Sequence, residues 1–217
     1  MDSEAKRQKL VLEQLSIYQK QGALETDWSA MSALLTNESD RGVAVIVGSL
    51  VEDALLERIV GKLPGLDKDQ RKNLTRSGGV LSSFAARVSM ASALGLIDDE
   101  TAILLDILKA VRNACAHSRR DINFKTPELK AAIGLMLESG DDTEGVFLRS
   151  EDDTFLRLVF LLLASYLFDM IGGASKDEAT DRINRLMAKI QEAAEKKKEQ
   201  LEASRRRRTE RRAKADQ

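Results

Sequence analysis

Residues 111–120, VRNACAHSRR, hold the chain's only histidine and its only cysteine. Arg112, Asn113 and His117 form the pattern R-N-x-x-x-H, whose parts suit cleavage of a phosphodiester. An imidazole can take the proton of a ribose 2′-hydroxyl or give one to a leaving 5′-oxygen, while a guanidinium stabilises charge on phosphorus. On an α-helix, however, Arg112 and His117 lie roughly 140° apart. They would flank a groove without touching, and one histidine per chain makes any such site a composite of two copies. The alternative is structural: Arg112 and His117 bond to neighbouring helices and lock the fold. Asp106, Ala110, Asn113 and His117 then form one polar stripe, at i, i+4, i+7 and i+11, opposite the apolar face.

Other chemistries find little support. Cys115 and His117 are two residues apart, roughly 200° around a helix, so they make no nucleophile–base pair. Cys115 falls on the apolar face and reads as a small core residue. One histidine and one cysteine cannot supply the usual zinc ligands, so no metal or other cofactor is expected. The acid pairs Asp98-Asp99, Asp141-Asp142 and Asp152-Asp153 sit at helix starts or in loops, where capping and solvation account for them. Gly78-Gly79 follows no strand and is not a phosphate loop.

The elements that must position these residues are helices. Aromatics are only 4% and prolines two, so the core must come from Ala, Leu, Ile, Val and Met, a palette that favours helix. Apolar spacing predicts an amphipathic first helix over 3–20, with Leu10, Val11, Leu15 and Tyr18, and a short helix capped near Thr26 or Asp27. A long helix starts at an Asn37 or Ser39 cap and stops before Pro64-Gly65. Its run VAVIV tempts a strand, but Val47, Leu50, Val51, Leu55 and Ile59 continue a helical stripe. Gly78-Gly79 breaks the chain, and a helix rich in small residues follows. The motif helix opens on acidic residues at 98–100, which suit its dipole. Pro127 starts the next helix, and Gly172-Gly173 closes an apolar one over 154–171. That helix is expected to be the most buried, with Leu162 in the core. Its apolar run of eleven residues, 158–168, is too short to span a bilayer.

The division expected is an N-terminal helix over 1–25, an all-α bundle over 26–175, and a charged helix over 176–217 that frays into a tail. Residues 196–214 carry ten Lys or Arg against three Glu, so a chain of net charge −1 is an acidic body of about −8 with a basic tail. Arg205, Arg206, Arg207, Arg208, Arg211 and Arg212 are its candidate nucleic-acid contacts, through phosphates and without sequence preference. With one cysteine and no apolar leader, the chain reads as cytoplasmic.

Three segments in one order carry a resemblance. ESDRGVAVIVGSLVEDALLERI, GGVLSSFAARVSMASALGLIDDE and LLDILKAVRNACAHS are similar to the mannitol operon repressor family, over roughly residues 30–175. The most specific parts are Ser39-Asp40-Arg41-Gly42, the stretch from Ser83 to Arg87 with Leu94 to Ile97, and Arg112-Asn113 with Ala116-His117. The resemblance implies an all-helical domain and a role in transcription regulation as a repressor. The same core and motif also resemble HEPN domains, a class that includes metal-independent endoribonucleases and non-catalytic relatives. On that comparison Arg112, Asn113 and His117 would be catalytic. No helix-turn-helix stands out: the likeliest pair, 67–76 with 81–94, has a second helix too apolar to read bases. The favoured expectation is therefore a repressor-type regulator working through protein contact, as a homodimer and away from membranes. The alternatives are an endoribonuclease and a non-catalytic dimerisation module. The polar network expected to hold Arg112 and His117 comprises Ser39, Asp40, Arg41, Asp53, Arg87, Asp106 and Asn113.

Overall fold

The computed structural model describes residue 35 and the stretches 37–137 and 150–188. The expected helices over 3–20 and from Thr26, most of the acidic loop after 137, and the basic tail lie outside the described residues. The chain divides into two compact units, Met1–Gly173 and Ala174–Gln217. The described residues hold helices and no strand, so the fold is all-α.

The first unit is arranged around α1, Asp40–Gly61. Ser39 caps it, its hydroxyl accepting from the Gly42 amide at 3.0 Å. Val43, Val47, Val51, Leu55 and Ile59, spaced every four residues, have no exposed surface. That unbroken stripe is why VAVIV folds as helix: burying it outweighs the modest helix cost of valine. α1 packs against three other helices. These are α3, Phe84–Ala93, α4, Asp99–His117, and α6, Asp153–Gly172.

Between α1 and α3 stands α2, Lys68–Thr75, which buries none of its residues. It is held by a capping box: the Asp67 carboxylate accepts from the Gln70 amide, and the Gln70 side chain accepts from the Asp67 amide. Gly78 then takes φ 81°, and a Cβ on Gly79 would lie 2.4 Å from the Leu74 carbonyl oxygen. This tight turn lets the Leu81 amide reach that same carbonyl at 2.8 Å. Asp98 caps α4, its side chain accepting from the Thr101 amide at 2.8 Å. Pro127 opens α5, Pro127–Leu135, which packs on α4. Asp152 caps α6, and Gly173 ends it at φ 91°.

α6 is not the most enclosed helix. Leu156, Phe160, Ala164 and Leu167 are fully buried, but the stripe of α1 is longer. Leu162, expected in the core, is only half-buried, because it lies about 140° around the helix from Leu167. By length and hydropathy α6 is the one helix among the described residues that is able to cross a membrane, yet 44% of that window is buried inside the fold. In the second unit, residues 176–188 are helical.

Candidate functional site

Two polar clasps tie α1 to its neighbours, and they divide the R-N-x-x-x-H motif between them. The inner clasp forms where α1 and α4 cross. Gly48 has no side chain, so the stem of Arg112 lies directly on the backbone of α1; a Cβ on Gly48 would stand 2.7 Å from both Cβ and Cγ of Arg112. One turn further along, Glu52 is 13% exposed and receives two cations. Its Oε2 lies 3.5 Å from Nη2 of Arg112, and its Oε1 lies 3.2 Å from Nη1 of Arg87.

Arg87, from α3, also donates from Nε to the Leu81 carbonyl at 2.9 Å and from Nη1 to the Glu52 carbonyl at 3.4 Å. The Gly78-Gly79 turn therefore serves this clasp, since it sets the Leu81 carbonyl that Arg87 grips. Asn113 completes it by accepting from Nη1 of Arg112 at 3.0 Å. Arg112 is the least satisfied member. Its Nε is buried with no hydrogen-bond partner among the described residues.

The outer clasp forms at the start of α1. Asp40 is buried, and its Oδ1 accepts from Nε and Nη2 of Arg157, at 3.0 and 2.6 Å. Its Oδ2 accepts from the Phe124 amide at 3.1 Å, and the Phe124 ring stacks at a tilt on Phe160, 4.9 Å between centroids. Arg41 donates from Nη2 to the carbonyls of Ala116 and Ser118, at 3.3 and 2.9 Å. These carbonyls belong to the end of α4, where backbone acceptors lack helical partners and a cation opposes the dipole favourably.

His117 lies between the two carbonyls that Arg41 holds, yet its own side chain joins neither clasp. It is exposed and makes no hydrogen bond or ion pair among the described residues. The expectation that neighbours fix both Arg112 and His117 thus needs correction: Arg112 is fixed and His117 is not. Asp53 also has a different place from the one expected. Its side chain is 59% exposed and 3.7 Å from Arg87, an outer partner to the pair that Glu52 makes. Its partial burial raises its carboxyl above the ordinary 3.8, against the pull of Arg87 and Arg112. Asp106 pairs with Lys109 on its own helix and stands apart from both clasps. Ser39 acts as a helix cap. Cys115 is fully buried, and burial pushes its thiol up despite the nearby Arg41.

Sequence reasoning missed Glu52 and Arg157. Glu52 was legible in principle as the residue four after Gly48 on α1. Arg157 had no local signal, because its partner is 117 residues away. The arrangement gives Arg112 a carboxylate inside its own chain, so in one copy the motif does not present cation and imidazole together. Among the described residues no group of histidine, cysteine and carboxylate side chains is placed to hold a metal. The six arginines expected to touch nucleic acid lie in the tail, outside the described residues. No family model matches the chain, and comparisons with curated proteins and with solved structures also find no match.

Proposed function

We propose that this chain is a cytoplasmic regulatory module of the mannitol operon repressor kind, which acts in transcription as a homodimer through contact with another protein. The observation that carries the reading is the engagement of Arg112. Asn113 and Glu52 engage its two terminal nitrogens, and Gly48 takes its stem, so the half of the motif that would stabilise a phosphorane is spent on holding α4 against α1. The helix after the Gly78-Gly79 turn supports the same view. α3 buries Phe84, Arg87, Val88 and Ala91, which leaves it poorly disposed to enter a major groove. The second reading, an HEPN-type endoribonuclease, is favoured by one fact: His117 is exposed. In that reading a second copy brings the cation to His117.

RNA cleavage in EDTA separates the two. The regulatory reading expects no cleavage by the wild-type protein at any concentration that permits dimers. EDTA-resistant cleavage that disappears in a folded His117→Ala protein would overturn it in favour of the nuclease.

A further inference from the structure

α2 is a helix with almost nothing to do in the core. It buries no residue, and only Leu74 leans on the core cluster. Its other side is cationic. Lys68, Arg71 and Lys72 stand at i, i+3 and i+4, hence on one face, and Leu74 lies about 110° from the centre of that face. All three are exposed, as is Arg76 at the C-cap, and none makes an ion pair among the described residues. The neighbouring acids do not neutralise them. The Asp67 carboxylate accepts from the Gln70 amide and Asp69 is the only acid within the helix, so four cations against two acids leave residues 67–76 at a net +2. Such a surface stands out on a body whose net charge without the tail is about −8.

We propose that the Lys68–Arg71–Lys72 face of α2 binds the phosphodiester backbone of nucleic acid. The chemistry of the face selects this partner. A membrane-lying helix needs large apolar side chains beside its cations, and the exposed face of α2 has none. A protein interface is built on apolar or aromatic anchors and is depleted in lysine. A row of Lys and Arg donors without an apolar anchor matches contacts that position a protein on phosphates without reading bases. The face is separate from the two clasps, and it stands under either functional reading.

The test compares the full-length wild-type protein with a Lys68→Glu/Arg71→Glu/Lys72→Glu variant and its all-Gln counterpart, with the basic tail kept in each. Binding to a random duplex DNA and to a single-stranded RNA is measured across a salt series, beside vesicles of phosphatidylserine and phosphatidylcholine. Melting of the variants should stay close to wild type, since the replaced side chains are exposed and make no ion pair or side-chain hydrogen bond among the described residues. The Glu variant should bind one or both nucleic acids at least about tenfold more weakly, with a salt slope shallower by about two to three on duplex DNA, and the Gln variant should fall between. Loss on DNA alone or on RNA alone identifies the strand type. Unchanged affinity and slope on both would overturn the proposal. So would a loss confined to the vesicles. Either failure leaves the regulatory reading intact, because that rests on the engagement of Arg112 and is tested separately by RNA cleavage.

Discussion

Adjacent acids on α1 have opposite fates, and the difference is helical phase. Glu52 follows Gly48 by one turn and so points into the crossing with α4, where Arg87 and Arg112 meet it. Asp53, a further 100° round, points outward and only brushes Arg87. The sequence shows both acids side by side but not which one faces the crossing, and that is why Asp53 was the one expected in the network. Its raised pKa carries a consequence. The folded protein holds the Asp53 proton more tightly than the unfolded chain does. That contribution is therefore fully present below pH 3.8 and is lost as pH rises through the folded value. Asp53→Asn should cost nothing at neutral pH. Urea midpoints should show wild type losing ground to the variant as pH is raised from below 3.8 to neutrality. A variant clearly weaker at neutral pH would mean that the Arg87 contact outweighs the burial.

At the level of elements, what could be read from the sequence was whatever repeats locally. The four-residue stripe of α1, the Asp98 and Asp152 caps, Pro127 and Gly173 all signal within a turn or two of the chain, and the helices stand where those signals put them. Pairings across the fold send no such signal. Asp40 with Arg157 and Arg41 with the end of α4 join residues 75 or more apart, so the motif helix was legible while its partners were not. Gly48 shows the same limit. Alanine would favour an isolated helix over glycine by about 1 kcal/mol. Here its Cβ would meet Cβ of Arg112, an atom fixed to the α4 backbone, so one helix must move. Gly48→Ala should therefore destabilise by about 1–2 kcal/mol net in denaturant melts; a gain in stability would show that the helices part easily. On α6, Leu167→Ala should cost about 2–5 kcal/mol by opening a cavity. Leu162→Ala should cost clearly less, since the Leu162 side chain is only half-buried. Equal losses would place Leu162 in the core after all.

Across the whole molecule, the clasps hold α1 at both its start and its middle, each time against α4 and one further helix. The central claim is that R-N-x-x-x-H is divided, its arginine tied into the fold and its histidine left on the surface. Stability reads that division directly. Arg112→Ala deprives Glu52 of one cation and strips the stem from over Gly48, though Arg87 still meets the carboxylate. With Arg112 itself 29% exposed, a loss of about 1–3 kcal/mol is expected. His117→Ala removes no hydrogen bond or ion pair among the described residues and should stay within about 0.5 kcal/mol of wild type. Equilibrium denaturant unfolding of wild type, Arg112→Ala and His117→Ala, under one buffer, is the most direct measurement. The account predicts that Arg112→Ala unfolds well before the other two, which coincide. An Arg112→Ala protein as stable as wild type, or a His117→Ala protein that is markedly weaker, would contradict it.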